Sequence, residues 1–311
     1  MVDITYLCNA TCKYCQWGNQ GTPGRLHRSL AEILIPKETL DALGTERVVL
    51  SGGEPRLHPE LARVLGYYRS LAKDVVVITN GYALDHGEIS RLLDSGATGI
   101  TVSLDSVYPE EAQFVRMTPP SLHQSILSAL RSLPFPRAFE LGINYVVSHP
   151  TENWRTVKGL LDFAREVSAD FVKFQPVFDD GYVAKNAPDL KLSEADRPSL
   201  LEVSERVGTS EYSTRTNPPG FWRDIADLAA GERLSSKACS LGPRHAISLQ
   251  GRLKICYWVD ASTLGAPTAR LSADDVTAGR TKFEQDKLRC EVGFHCFCTQ
   301  NISHEWKDTG E

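Results

Sequence analysis

Cys8, Cys12 and Cys15 stand at the spacing C-x3-C-x2-C, directly after the apolar run from Asp3 to Leu7. A loop leaving the C-terminal end of a strand can turn three thiolates toward one point. Structural zinc takes four protein ligands, and no fourth Cys or His lies in reach along this loop. Three thiolates instead suit a [4Fe-4S] cluster with one iron left open, where a substrate or cosubstrate can bind. The other cysteines, Cys239, Cys256, Cys290, Cys296 and Cys298, gather at the far end of the chain. In an exported protein an even count reads as a disulfide framework. The opening MVDITYLCNATCKYC carries no charged-then-apolar export segment, so the expected compartment is the cytoplasm, where clustered cysteines hold metal or do redox chemistry, and metal is the first hypothesis.

The elements that must position these thiols follow from pattern. The chain has 311 residues, 41% hydrophobic and 23% charged, enough for one large domain with an appendage. Lys plus Arg is 34 against 39 for Asp plus Glu, and no stretch gathers basic residues, so nucleic acid is excluded as a partner. No run approaches the ~20 apolar residues of a membrane span. Short β-branched runs are expected as strands at Asp3 to Leu7, Arg47 to Leu50, Val75 to Thr79, Gly99 to Leu104, Leu141 to Val147 and Phe171 to Val177. They alternate with helical stretches such as ELARVLGYYRSLAK, GEISRLLDSG and NWRTVKGLLDFAREV. Six βα units around a parallel sheet result, over residues 1–190. Residues 191–237 read as a polar helical bridge with no chemistry, interrupted by the turn-forming TNPPG. In residues 238–311, HAISLQGRLKICYW reads as a hairpin about Gln250-Gly251 that carries Cys256, and a helix from about Ala273 to Arg289 delivers Cys290.

Here the sequence resembles the radical S-adenosylmethionine superfamily, whose motif is this cysteine spacing, with Tyr14 as the aromatic residue before the third cysteine. After the second strand, Ser51-Gly52-Gly53-Glu54-Pro55 resembles the family's GGE segment. The resemblance implies that the backbone of Gly52 and Gly53, with Glu54, holds the amino group of S-adenosylmethionine, the glycines letting the backbone approach the ligand. ITNG at 78–81 and TVSLDS at 101–106 match the family's cosubstrate-contacting strand ends. They imply roles for Asn80, for Ser103 and Asp105 at ribose or carboxylate, and for Arg116 at the methionine carboxylate. Plainer readings stand beside these: Asn80-Gly81 as a turn pair, Ser103 and Asp105 as a cap or turn, Arg116 as a solvated charge. The implied fold is α/β, a partial (β/α)6 TIM-type barrel with a small C-terminal β-hairpin plus helix. The implied chemistry is reductive cleavage of S-adenosylmethionine to a 5'-deoxyadenosyl radical that abstracts hydrogen from a substrate carbon. A reductant such as flavodoxin or ferredoxin would supply the electron.

Cys239, Gly251 and Cys256 give C-x11-G-x4-C, which resembles the start of the SPASM or twitch extension that holds auxiliary [4Fe-4S] clusters in this family. Five thiols allow one auxiliary cluster, with Cys239, Cys256 and Cys290 as ligands and one of Cys296 and Cys298 completing it. The remaining thiol is then either a small buried hydrophobe or a hydrogen-atom donor. A donor would make the enzyme a redox-neutral epimerase of a small polar substrate such as an aminosugar or aminocyclitol, and the spare thiol tips the reading that way. An auxiliary cluster acting as electron acceptor would make it an alcohol dehydrogenase instead. Peptide maturation is a third expectation, weakened because the first strand starts at residue 3 and leaves no room for a preceding recognition domain. A metal-cluster sensor or scaffold without turnover is the non-enzymatic alternative. Asp179 and Asp180 read either as a turn or as partners for substrate amino groups, and His295 as an acid-base group or a packing residue.

Overall fold

In the computed structural model, residues 1–15, 26–177, 182–207, 216–217, 219–232, 247–249, 252–254, 263–267 and 271–286 are described. The β-branched runs form strands where the pattern placed them: β1 (Val2–Thr5), β2 (Arg47–Gly52), β3 (Asp74–Thr79), β4 (Gly99–Ser103), β5 (Glu140–Val147) and β6 (Phe171–Pro176). They pair in parallel and in sequence order, with Val49 opposite Val76, Ile78 opposite Thr101 and Tyr145 opposite Phe174. All C-terminal strand ends therefore share one rim, where the side chains of an α/β barrel can converge on a ligand. Among the described residues this sheet runs β6-β5-β4-β3-β2-β1 and continues into β7 (Ile247–Leu249), β8 (Arg252–Lys254) and β9 (Thr263–Pro267).

Helices α1 (Leu30–Ile33), α2 (Lys37–Ala42), α3 (Leu61–Ser70), α4 (His86–Asp94), α5 (Pro109–Arg116), α6 (Pro120–Arg131) and α7 (Trp154–Glu166) fill the crossovers. Asp85 caps α4 by accepting from the Glu88 N–H, and Asn153 caps α7 by accepting from the Thr156 N–H. In α7 the helical spacing buries Val157, Leu160, Leu161 and Ala164. After β6 come α8 (Tyr182–Asn186), α9 (Arg197–Val207), α10 (Pro219–Ala229) and, past the hairpin, α11 (Ala273–Asp286). No helix among the described residues is long and apolar enough to cross a membrane.

Two features differ from the sequence expectation. The hairpin is part of the main sheet: β7 pairs in parallel with β1 through Val2 and Ser248, and β8 gains a third, unexpected strand in β9. Likewise α11 is fastened to the barrel, since Arg280 donates to the Ala42 and Leu43 carbonyls, both at 2.8 Å, and the Thr39 hydroxyl donates to the Leu271 carbonyl at 2.6 Å.

The 191–237 segment is also more than a polar bridge. Leu200, Val203, Trp222 and Ile225 are fully buried in the main core, and Trp222 meets Phe174 of β6 with ring centroids 4.8 Å apart. Asn217, in the stretch read as a turn, accepts from the Phe174 N–H at 2.8 Å and donates to the Phe174 carbonyl at 3.0 Å. A side-chain amide thus takes the place of a seventh strand on the β6 edge, where unpaired backbone groups would otherwise be left. Asn217→Ala leaves both groups without their partner in a buried setting, and should cost roughly 2 kcal/mol or more. Equilibrium urea unfolding measures this; an unchanged midpoint would mean the clamp is not made.

Candidate active site at the strand ends

The thiol loop starts where β1 stops, and its geometry is set by contact with the end of β2. Gly53 N donates to the Thr5 carbonyl and Glu54 N to the Leu7 carbonyl, both at 2.8 Å. Gly52 has φ +124°, and a Cβ there would lie 2.5 Å from the Thr5 carbonyl oxygen; at Gly53 it would lie 2.2 Å from that of Leu7. The backbone that the two glycines let come close in this structure is that of β1 and its loop.

Glu54, 1% exposed, caps the short 3-10 turn Pro55–Leu57. Its Oε1 accepts from Thr79 Oγ1 at 2.9 Å and from Arg56 N at 3.3 Å, and its Oε2 accepts from Asn80 N at 2.7 Å. Burial pushes its carboxyl pKa up, and these donors and the Arg56 charge only partly pull it back. Glu54 therefore ties the β2 end to the β3 end. Asn80 closes the circuit: its Nδ2 donates to Asn9 Oδ1 at 2.7 Å and reaches Cys8 Sγ at 3.8 Å, while its Oδ1 accepts from Tyr82 N at 2.8 Å. Gly81 takes φ +80°, and the turn falls on the next two residues, Tyr82 and Ala83. Thr79 and Asn9 escaped the sequence reading; the signal for Thr79 was its place inside ITNG.

On the other side of the loop, the Tyr14 hydroxyl donates to Asp105 Oδ2 at 2.7 Å, and Arg116 Nη1 donates to the Tyr14 oxygen at 3.1 Å and to Asp105 Oδ2 at 3.4 Å. Asp105 Oδ1 accepts from Val146 N at 2.8 Å, so this carboxylate, 1% exposed, brackets β4, β5 and the thiol loop together. Arg116 is buried, which removes its reading as a solvated charge. Burial disfavours its charge, but Cys12, Tyr14 and Asp105 around it outweigh that and hold its pKa well above the ordinary value. Ser103, at the end of β4, is half-buried, and its hydroxyl has no hydrogen-bond partner among the described residues.

Cys8, Cys12 and Cys15 are not disulfide-bonded; Cys12 is buried and the other two are half-buried. Burial raises the Cys12 thiol to about 11, Arg116 opposes that, and Cys15, Asp105 and Cys8 raise it further. Burial also raises Cys8, against the Ala10 N–H and the Asn80 amide. Cys8 and Cys12, which resist ionisation, stand with Cys15 as a donor set that a metal cluster satisfies, because a cation among them offsets burial and mutual repulsion. Tyr14, Gly52, Gly53, Glu54, Asn80, Asp105 and Arg116 thus converge with Cys8, Cys12 and Cys15 on one rim. Cys239, Cys256, Cys290, Cys296, Cys298, Asp179, Asp180 and His295 lie outside the described residues.

Comparison with known proteins agrees with this geometry. Residues 2–164 match the Radical SAM superfamily. A GTP 3',8-cyclase of Chlorobaculum tepidum is 24% identical over 285 residues, 88% of this chain and 83% of its own. A probable GTP 3',8-cyclase of Methanothermobacter thermautotrophicus is 24% identical over 262 residues, 82% of each chain. Among solved structures, Streptococcus suis SuiB bound to S-adenosylmethionine superposes with TM-score 0.63 at 16% identity, covering 95% of this chain and 71% of SuiB. The protein anSMEcpe with bound AdoMet gives TM-score 0.60 at 16% identity, over 95% of this chain and 86% of that one. At these identities the structures share the fold.

Gly53→Ala should drive the β1 loop away from β2 and lower iron incorporation in anaerobic reconstitution, with far-ultraviolet circular dichroism unchanged. Gly66→Ala, on an exposed turn of α3 with its nearest neighbour at 3.9 Å, is the matched control and should stabilise by about 0.5–1 kcal/mol. Iron per chain and the visible cluster absorbance distinguish the two.

Proposed function

The chain belongs to the Radical SAM superfamily, and from that premise we propose that it cleaves S-adenosylmethionine reductively at a [4Fe-4S] cluster on Cys8, Cys12 and Cys15 and acts on a small polar substrate. The observation that carries the proposal is the convergence of three thiols with Asn80, Asp105 and Arg116 at the strand ends. When bound, cluster and cosubstrate supply a 5'-deoxyadenosyl radical able to take hydrogen from an unactivated carbon. The chain's own residues bind and orient. Arg116 would supply buried positive charge for a carboxylate, Ser103 a hydroxyl for a ribose, and the half-buried backbone of Gly52 and Gly53 polar groups for an amine. Glu54 and Asp105 serve by positioning, since the oxygens of both already accept internal hydrogen bonds.

For the reaction that follows, we favour redox-neutral epimerisation of an aminosugar or aminocyclitol, with Cys296 or Cys298 as hydrogen donor and the rest of the C-terminal cysteines on an auxiliary cluster. Its support is the count of C-terminal thiols, one more than a single cluster needs. Oxidation of an alcohol through that cluster uses the same residues without the donor. A second reading, cyclisation of a nucleoside triphosphate, is favoured by the likeness to GTP 3',8-cyclases over most of the chain. Against it stand the net charge of -5 and the lack of a basic run to meet a triphosphate.

Cys8→Ala, Cys12→Ala and Cys15→Ala should each abolish 5'-deoxyadenosine formation from S-adenosylmethionine under anaerobic reduction; formation at the wild-type rate would sink the cluster assignment. Turnover in deuterated water separates the outcomes. Epimerisation places solvent deuterium on the inverted carbon, dehydrogenation gives an unlabelled carbonyl, and GTP consumption in place of both supports cyclisation. Loss of product with retained 5'-deoxyadenosine in one of Cys290→Ala, Cys296→Ala or Cys298→Ala identifies the donor.

A further inference from the structure

At the C-terminal end of β5 a second group of ligating side chains meets, made of residues other than the thiols. Thr151 N donates to the Ser148 carbonyl at 2.7 Å, the Tyr145 hydroxyl donates to the Thr151 carbonyl, and His149 N donates to the Leu190 carbonyl at 3.2 Å. This tight turn presents His149 and Glu152 toward the 3-10 turn Glu194–Asp196. There Asp196 is held by a capping box, its Oδ2 accepting from Ser193 N at 2.7 Å and Ser193 Oγ at 3.0 Å. Its Oδ1 faces His149 Nδ1 at 2.8 Å. One ligand atom from each of His149, Glu152 and Asp196 lies within 4.8 Å of the others.

An independent observation concerns Glu152 alone. It is 6% exposed, and its Oε2 is fully buried with no hydrogen-bond partner among the described residues. A buried carboxylate oxygen without a donor is costly, and a cation is one of the few things that satisfy it. His149, with 52% of its side chain exposed, leaves the group open to solvent on one side.

We propose that His149, Glu152 and Asp196 form a binding site for a divalent first-row cation, separate from the cluster site. Ligands on one such ion sit roughly 3 Å apart, and the His149–Asp196 pair at 2.8 Å is already at that spacing, with a Glu152 oxygen within 4.8 Å of both. Two carboxylates with one imidazole select manganese-like or zinc-like ions over soft ones, and their two negative charges match a divalent ion. The ion would tie the β5 end to the segment before α9, at the wall of a cavity of about 500 Å³ lined by His149, Pro188, Asp189 and Ser193.

The test uses the cluster-replete protein, freed of adventitious ions on a chelating resin and titrated anaerobically with Mn2+, a probe that binds thiolates poorly. Room-temperature electron paramagnetic resonance reads the free aqua ion. The expected result is loss of one equivalent of free Mn2+ signal and a higher melting temperature with Mn2+. His149→Ala and Glu152→Gln should each weaken that affinity at least about tenfold while keeping the metal-free melting temperature. No uptake by the wild type, or equal uptake by both variants, overturns the site. If Glu152 merely carries a proton, Glu152→Gln is neutral and Mn2+ shifts no melting temperature, which overturns it too.

Discussion

The close approach of Gly52 and Gly53 to the backbone of β1 is the constraint on which the rest of the site depends. Two short backbone hydrogen bonds, to the Thr5 and Leu7 carbonyls, fix where the thiol loop departs, and neither forms if a Cβ stands between the chains. From that contact a ring of polar contacts runs around the rim. Glu54 passes from the β2 end to Thr79 and Asn80 at the β3 end, and Asn80 returns to Asn9 and Cys8. Glu54, Thr79 and Asn80 are buried and Cys8 is half-buried, while Asn9 is exposed, so removing one of the buried members leaves the next without a partner.

Charge around the thiol loop is arranged in opposition. Arg116 ends α5, where the helix dipole favours a cation, and it is buried against Tyr14, Asp105 and Cys12. Its positive charge draws the Cys8 and Cys12 thiols toward ionisation while burial drives them away from it, and burial prevails. A cation shared among the thiols would shift that balance toward the thiolates at Cys8 and Cys12. Asp105 does not compete for that cation, because Tyr14, Arg116 and the Val146 N–H already occupy its oxygens.

The parts of this arrangement that show in the sequence are those with a periodic or spaced signature. Runs such as VVVIT are read as strands because parallel strands buried on both faces need continuous β-branched residues, and β3 is buried along most of its length. The cysteine spacing, GGEP and ITNG are short and local, so they too can be read. What escapes is anything in which a side chain imitates backbone or a distant segment completes an element. Asn217 lies in TNPPG, where Asn and Pro signal a turn equally well, and nothing local tells that its amide will serve as a strand for Phe174. Likewise LSEADRP reads as a helix start, which it is, while the partnership of Asp196 with His149 depends on a turn many residues away.

How the thiol loop is joined to the far side of the rim is decided by magnitude. Lys13 pairs with Asp189 at 2.9 Å and lies over the Phe114 ring, a contact that spans the opening. Both partners are partly in solvent, and an ion pair of this kind contributes about 0–1 kcal/mol, too little to hold a loop by itself. The firmer joint is apolar and backbone-made. Lys13 N donates to the Val115 carbonyl at 3.1 Å, and Tyr14 packs beside Val115, Val183, Ala187 and Leu190, four buried side chains that form a cluster apart from the main core. Burying Val115, Val183 and Leu190 is worth about 1.5–3 kcal/mol each, so this small second core outweighs the ion pair several-fold. The segment around α8 is thereby packed on the same loop that carries the thiols, and a change in either is felt at the other through Tyr14, whose hydroxyl reaches Asp105 and Arg116.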